Sequence, residues 1–184
     1  MAAAKVILGI DPGTQILGYG VLEVTSSGPK YVDMGVVDLR KESDHFAKIR
    51  KIFLEVTELI EHFKPDELAV EAPFYGKNIQ SMLKLGRAQG SAIAAALNRN
   101  MPVYEYAPRK IKLSITGKGA ASKEQVASLL TNILKTKDLP DFLDATDGLA
   151  VALCHYYESC RQLRQSTPGR GWDAFVKANP DRIK

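Results

Sequence analysis

The N-terminal part of the chain alternates short apolar stretches with turn residues. Residues 6–10 form an apolar run that ends on Asp11, and a Pro-Gly-Thr turn at 12–14 separates it from a second apolar run. Pro presets φ and Gly accepts positive φ, so we predict a buried strand, a tight turn and a return strand. Two further strands are predicted, at residues 18–24 and 30–39. A Ser-Ser-Gly-Pro turn joins them, so the first three strands should form an antiparallel meander.

The next region has the period of an amphipathic helix. Ser43 or Asp44 can cap it, and Lys64-Pro65 ends it. Residues 67–72 then predict a short strand, which should lie parallel to the first because a helix connects them. The apolar positions that we expect to face the core are Phe46, Ile49, Phe53, Val56, Ile60 and Phe63.

Acidic residues end two of these strands. Asp11 follows the first apolar run, and Glu71 lies near the carboxyl end of the strand at 67–72. Ligands of open α/β sheets bind at that edge, and two parallel strands would bring these carboxylates side by side. Each residue also has a simpler interpretation: Asp11 caps the turn, and Glu71 faces solvent.

A helix predicted over residues 79–98 carries a row of small side chains. Gly86, Gly90 and Ala94 recur every four residues, although glycine costs about 1 kcal/mol relative to alanine inside a helix. Such a row lets another backbone approach closely. The sheet and a second subunit are both candidates for that contact.

Shorter elements follow this helix. Residues 102–106 predict a strand, 107–112 begin a basic helix, and 116–121 form a glycine-rich loop that lacks the spacing of a phosphate-binding P-loop. Ser122 and Gln125 have the spacing of a capping box at the start of another helix.

The last major helix, from about residue 140 to 163, carries two acids on one face. Asp144 and Asp147 are three residues apart. Helix N-termini favour negative charge, which explains Asp141 and Asp144 without any function. Asp147 lies past the first turn among apolar residues, where an acid favours a nearby cation. His155 is roughly 16 Å further along the axis than Asp144, so we assign it a structural role.

Composition indicates one globular domain. The 184 residues are 45% hydrophobic and 25% charged, and no apolar run has transmembrane length. The two cysteines, Cys154 and Cys160, have no metal-ligand spacing around them, so we expect reduced thiols in a cytoplasmic protein that has no membrane partner.

The charge distribution is more informative than the net charge of +4. Residues 1–74 contain eight basic and twelve acidic side chains, residues 75–135 ten basic and two acidic, and residues 136–184 seven of each. A basic middle third fits a polyanion, and we favour nucleic acid over a merely solvated surface.

Several residues are candidate DNA contacts. Phe74 and Tyr75 could stack on a base with Lys77 near a phosphate, or this loop could instead cover the core. The other candidates are the basic residues Lys84, Arg87, Lys112, Lys118 and Lys123.

The four acids Asp11, Glu71, Asp144 and Asp147 have no His or Cys companion at ligand spacing. Oxygen ligands favour hard cations such as Mg²⁺ or Mn²⁺. Two such ions about 3.5–4 Å apart can promote in-line hydrolysis of a phosphodiester. Beside a basic surface, these acids predict a metal-dependent nuclease.

Five stretches between about residues 6 and 155 resemble, in order, the RuvC family of bacterial Holliday junction resolvases. They are GIDPGTQILGYG, Glu71-Ala-Pro-Phe74, LGRAQGSAIAAAL, PVYEYAPRKIKLSITGKGAASKEQV and LDATDGLAVALCH. Each stretch is weak evidence alone, but the series is specific.

The resemblance implies an α/β, RNase H-like fold with a mixed five-stranded sheet, three antiparallel N-terminal strands and then parallel strands, flanked by helices. It implies a nuclease domain over residues 1–165, and we read 166–184, with Trp172, as a mobile tail. It also implies a homodimer that nicks opposing strands of a four-way junction symmetrically, leaving 5′-phosphate and 3′-hydroxyl ends, in recombination and repair together with RuvA and RuvB.

The resemblance also assigns residues. It implies that Asp11, Glu71, Asp144 and Asp147 are catalytic and bind one or two Mg²⁺ per subunit, with Mn²⁺ as a substitute. It places Phe74 at the junction, and Lys112 and Lys123 at the DNA backbone.

Two other classes remain open. Gly-Ile-Asp-Pro-Gly-Thr also resembles the phosphate loop of actin-like sugar kinases and chaperone ATPases, but those need two such domains, and the basic middle third argues against them. A non-catalytic junction-binding module is the second alternative, and we would expect it to lack one of the four acids.

Overall fold

Five strands and five helices make up a computed structural model that describes residues 4–73, 78–136, 143–165 and 176. The strands are β1 (Lys5–Asp11), β2 (Ile16–Thr25), β3 (Gly28–Asp38), β4 (Glu67–Glu71) and β5 (Val103–Tyr106). The helices are α1 (His45–Phe63), α2 (Ile79–Leu97), α3 (Pro108–Thr116), α4 (Lys123–Leu134) and α5 (Leu143–Gln165). No helix among these residues is both long and apolar enough to cross a bilayer.

The strands form one mixed sheet in the order β3-β2-β1-β4-β5. β1, β2 and β3 pair antiparallel, as the short turns between them predict. β4 is parallel to β1, and β5 is parallel to β4, because a helix precedes each of them. The predicted RNase H-like arrangement of the sheet is confirmed.

Helices cover both faces of the sheet and enclose two hydrophobic cores. Helices α1 and α2 pack on one face, against side chains such as Leu8, Ile10 and Val70. Helices α3, α4 and α5 pack on the other face, where Ile7 and Ala69 contribute. Side chains alternate between the two faces of a sheet along each strand. Asp11 lies two residues after Gly9, and Glu71 two residues after Ala69, so both acids lie on the sheet face that α5 covers.

Helix α5 lies in backbone contact with the sheet because glycines face each other across the interface. A Cβ atom at Gly148 would lie 2.5 Å from the Tyr19 Cα, and one at Gly18 would lie 2.1 Å from the Asp144 carbonyl oxygen. Gly20 is equally crowded by α5. No alanine fits at these positions unless the helix moves away. The glycines therefore set the distance at which α5 carries its acids over β1 and β2.

Helix α1 shows one error in the predicted core. Its N-cap is Asp44, whose carboxylate accepts hydrogen bonds from the backbone of Phe46 and Ala47. Phe46 was expected to face the core but is 75% exposed. The buried face is defined by Ile52, Val56 and Ile60. At 3.6 residues per turn, Phe46 lies about 80° away from the centre of that face.

Candidate active site

Asp11 and Glu71 end neighbouring parallel strands. Ile10 pairs with Val70 in the parallel register of β1 and β4. The residues that follow them, Asp11 and Glu71, therefore lie side by side at the carboxyl edge of the sheet. Both acids share the face covered by α5, as the alternation of the strands requires. The expected meeting of these two carboxylates is therefore present.

Helix α5 brings the other two acids to the same edge. Gly18 pairs with Asp11 in the β1–β2 ladder, and the Asp144 backbone lies directly over Gly18. Asp147 is one helical turn further on, on the same side of α5. Sequence reasoning singled out both acids but missed the glycines that place them. The signal was glycine inside predicted strands, which often marks a close backbone approach.

Three of the acids line one small cavity of about 220 Å³. Asp11 and Glu71 come from the sheet and Asp147 from α5. The rest of its wall consists of Pro108, Ile111, Lys112, Lys123, Val126 and Ala150. Acidic, basic and apolar side chains thus meet at the carboxyl edge of β1 and β4, which is where ligands of α/β sheets bind.

Lys123, the first residue of α4, forms ion pairs with two of the acids. Its ammonium contacts the Asp147 carboxylate closely and lies 3.3 Å from the Asp144 Oδ1. Burial lowers the pKa of Lys123, but the hydrogen bonds to Asp147 and Asp144 outweigh it and raise the pKa overall. Lys112 lies in the same cavity, and its charge acts on Glu71 and Asp147. Both lysines were predicted as DNA contacts, and the ion pairs of Lys123 were not foreseen.

The buried carboxylates are strongly perturbed. Burial, together with the Asp147 charge, raises the pKa of Asp11 to about 7. Burial and the Asp11 charge raise the pKa of Glu71 to about 8. Burial also raises the pKa of Asp147, although Lys123 offsets part of that shift. Desolvated carboxylates that repel one another favour a cation between them, and such perturbed groups in a cavity are typical of functional sites.

The donor set fits a hard divalent cation. Every candidate ligand is a carboxylate, and burial with repulsion between the acids raises the pKa values of Asp11 and Glu71 although Lys123 lowers them. Within the described part of the chain, no group of three or more His, Cys, Asp or Glu side chains is already arranged to hold a metal ion. In this arrangement the Asp147 carboxylate pairs with Lys123.

The end of β4 is anchored from two sides. The Gln89 amide, on the buried side of α2, donates a hydrogen bond of 3.1 Å to the Glu71 carbonyl oxygen. The Ala72 N–H donates to the Tyr106 carbonyl of β5 at 2.9 Å. These bonds hold the backbone that presents the Glu71 side chain. Sequence reasoning missed Gln89 because its only signal was a polar residue on the apolar face of a helix.

The other predicted DNA contacts are spread over the surface. Lys118 lines a separate cavity of about 440 Å³ between α3 and α4. Lys84 and Arg87 are exposed on α2, where their charges act on His45, and α2 covers the opposite face of the sheet from α5. Phe74, Tyr75 and Lys77 lie outside the described residues, as do Asp141, Trp172 and all of the segment 166–184 except Val176.

A second polar cluster lies at the opposite end of β4. The Tyr106 hydroxyl lies 2.7 Å from the His155 Nδ1, and the His155 Nε2 contacts the Glu67 carboxylate, which also pairs with Lys5. Burial lowers the pKa of His155, which favours the neutral ring. Nε2–H then donates to Glu67, and Nδ1 accepts from Tyr106. His155 is thus remote from the acidic cavity, as the helical rise predicts.

The chain is similar to known proteins over most of its length. The model of the family described as crossover junction endodeoxyribonuclease RuvC matches residues 7–155. A protein of that name from Bacteroides fragilis is 56% identical over 98% of this chain and 96% of its own length. The solved structure of Thermus thermophilus RuvC in complex with a Holliday junction substrate has a TM-score of 0.77 and 33% identity, covering 85% of this chain and 96% of the Thermus chain.

Proposed function

Because the chain belongs to the RuvC family of crossover junction endodeoxyribonucleases, we propose that it resolves four-way Holliday junctions by hydrolysing one phosphodiester bond in each of two opposing strands. The observation that supports this most strongly is the cavity in which Asp11, Glu71 and Asp147 meet Lys112 and Lys123. An acidic centre beside basic side chains suits an anionic substrate that is cut with the help of a cation. Junction DNA as the substrate agrees with the Thermus thermophilus complex.

In this proposal Asp11, Glu71, Asp144 and Asp147 hold one or two Mg²⁺ ions, for which Mn²⁺ can substitute. A divalent cation supplies Lewis-acid stabilisation of the phosphate and lowers the pKa of a water molecule. The water oxygen forms a bond to phosphorus while the bond to the 3′ oxygen breaks, which leaves a 5′-phosphate and a 3′-hydroxyl. The Gln89 and Tyr106 hydrogen bonds keep Glu71 in position during this step.

The basic residues hold the DNA in this proposal. Lys112 lies in the cavity wall, so its ammonium can reach the phosphate that is cut. Lys118, in the loop between α3 and α4, is placed to contact a phosphate further along the strand. Lys84 and Arg87 are on the other layer and would contact a different arm of the junction. Phe74, Tyr75 and Lys77 lie outside the described residues, and we propose them as junction contacts because they follow Glu71 within six residues of the chain.

Symmetrical nicking requires two active sites, so we propose that the protein acts as a homodimer through the outer face of α2. Among the described residues, and apart from the neighbouring backbone of α2 itself, no atom lies within 4 Å of a Cβ built at Gly86 or Gly90, so the described strands do not pack against this row. Apolar side chains on the same face, Ile79, Leu83 and Leu97, are exposed. A second copy of α2 could pack closely there. We further propose that RuvA and RuvB are partners and that the protein works in the cytoplasm.

The direct test is cleavage of a labelled synthetic four-way junction in Mg²⁺, beside a linear duplex of the same sequence. We expect paired nicks in the junction alone. Asp11→Asn should bind the junction as tightly and cut it on the order of 10³-fold more slowly, because a lost metal ligand removes several kcal/mol of transition-state stabilisation.

Other outcomes would change the proposal. Equal cutting of both DNAs would indicate a nuclease that is not a resolvase. Tight junction binding without any nicks would indicate a binding module. If Asp11→Asn lost binding and cleavage together, Asp11 would be a structural residue rather than a metal ligand.

A further inference from the structure

The feature that the proposed mechanism leaves unexplained is the contact between Lys123 and the acids of α5. Lys123 is the first residue of α4, directly after the N-cap Ser122. A helix N-terminus carries a partial positive charge, so a lysine there is electrostatically unfavourable unless negative groups lie nearby. Here the Asp144 and Asp147 carboxylates supply them.

The Lys123 ammonium interacts with all four acids, Asp11, Glu71, Asp144 and Asp147. It contacts Asp147 and Asp144 directly, and its charge lowers the pKa values of Asp11 and Glu71 against the effect of burial. Lys112 lines the same cavity, but no hydrogen bond or ion pair joins it to a carboxylate among the described residues. Lys123 therefore occupies space beside Asp147 that a metal ligated by this carboxylate would need.

The Lys123 side chain is able to leave. It is 47% exposed, whereas the Asp147 side chain is 15% exposed. A divalent cation at the carboxylates would repel the ammonium and compete for the same oxygen atoms. The long, flexible lysine stem would then carry its charge into solvent or onto an anion at the cavity mouth.

We propose that Lys123 is an internal counter-cation, which holds the Asp147 and Asp144 carboxylates in the metal-free protein and is displaced by the divalent ion that binds there. The displaced ammonium then contacts the DNA phosphate next to the cut bond. This inference rests on the proposed metal-dependent function. It means that the divalent ion must compete with the Lys123 ammonium for the carboxylates. In the absence of DNA, the protein should therefore bind the metal more weakly than the same four acids would without the Lys123 ion pairs.

The test is calorimetric titration of the full-length, metal-free protein with Mn²⁺ in the absence of DNA. Lys123→Met should bind Mn²⁺ at least about fivefold more tightly than the unsubstituted protein, the lower end of ordinary coupling between two ligands. Lys112→Met is the matched control, because it removes a positive charge from the same cavity without breaking an ion pair. Its gain in affinity should be clearly smaller.

Thermal unfolding supplies a second measurement. Lys123→Met should lower the Tm of the metal-free protein more than Lys112→Met does, and saturating Mn²⁺ should remove this difference. Lys123→Arg keeps the charge and the ion pairs, so it should fold normally and bind Mn²⁺ no more tightly than the unsubstituted protein. It keeps the inference testable if Lys123→Met fails to fold.

Three results would overturn the inference. Equal gains in Lys123→Met and Lys112→Met would show a general charge effect, and tighter Mn²⁺ binding by Lys123→Arg would show that the ion pairs do not compete. In both cases junction cleavage by the unsubstituted protein would leave the proposed function intact. Absence of Mn²⁺ binding in every variant, together with cleavage in a metal chelator, would overturn the metal-dependent function as well.

Discussion

The two glutamates of β4 have opposite environments at opposite ends of the same strand. Glu67 pairs with Lys5 and His155, and these bonds outweigh the effect of burial and lower its pKa. Glu71, about 13 Å away along the strand, is crowded by other acids, and burial with the Asp11 charge raises its pKa to about 8. Glu67 has a cation, Lys5, and a hydrogen-bond donor, His155, within the fold, whereas Glu71 lacks a sufficient cation.

This difference separates stability from function within one strand. A carboxylate with bound partners contributes to the folded state, whereas clustered carboxylates cost free energy until a cation binds them. Helix α5 serves both ends, since it supplies His155 to Glu67 and Asp147 to the cavity that Glu71 lines. A substitution in α5 should therefore affect both ends of β4, and a substitution of Glu67 should affect one end alone.

The largest effect is expected from Gly148→Ala. The new methyl group would meet the Tyr19 backbone at 2.5 Å, so α5 must move away from the sheet. We expect the free energy of unfolding to fall by about 1–3 kcal/mol or more, together with a loss of junction cleavage. Urea denaturation and a cleavage assay on the same preparation measure both.

Gly86→Ala is the matched control for the unfolding measurement alone, because this helical glycine has open space around it within the subunit but lies on the face of α2 proposed for the dimer. It should stabilise the fold by up to about 1 kcal/mol through helix propensity. If Gly148→Ala lowered the free energy of unfolding no more than Gly86→Ala does, the backbone contact of α5 with the sheet would not be what places the acids.

Glu67→Gln should disturb only the stabilising end. It removes the carboxylate that pairs with Lys5 and accepts the His155 hydrogen bond, and we expect the free energy of unfolding at neutral pH to fall by about 1–3 kcal/mol. Metal binding at the other end should not change. Urea denaturation with and without Mg²⁺ measures the loss, and a Mg²⁺-dependent difference between the two proteins would contradict the separation.

The smallest effect is a change with pH. Glu67 has a lowered pKa, so its stabilisation is complete above its ordinary value of 4.5 and is lost as the pH falls through the folded-state value. The pKa of His155 is also lowered, so stability falls as the pH drops below 6.5. The difference in unfolding free energy between the unsubstituted protein and Glu67→Gln should therefore shrink below pH 4.5. A difference that is independent of pH would show that Glu67 acts through packing rather than charge.

The local features of this molecule could be predicted from sequence, and its long-range contacts could not. Asp11 and Glu71 each follow an apolar run, and the helix between them requires parallel strands, so their meeting follows from local pattern. The approach of α5 depends on the contact of Gly18 with Asp144, and a glycine inside a strand marks a close approach without identifying its partner. Lys123 was predicted as a DNA contact, and its ion pairs with Asp144 and Asp147 could not be foreseen because these partners are more than twenty residues away in the chain. The prediction for Phe46 was wrong because steps of three or four residues do not match the helical turn of about 3.6 residues. Over several steps the angular differences add up, and Phe46 lies to the side of the buried face.

The most direct test of the account compares Glu71→Gln with Glu67→Gln in single-turnover cleavage of a labelled four-way junction at saturating Mg²⁺. The two variants make the same chemical change on one strand. Glu71→Gln should cut on the order of 10³-fold more slowly, and Glu67→Gln should stay within about twofold of the unsubstituted protein. Equal losses in both variants, or full activity in Glu71→Gln, would contradict the assignment of the active site to the carboxyl end of β4.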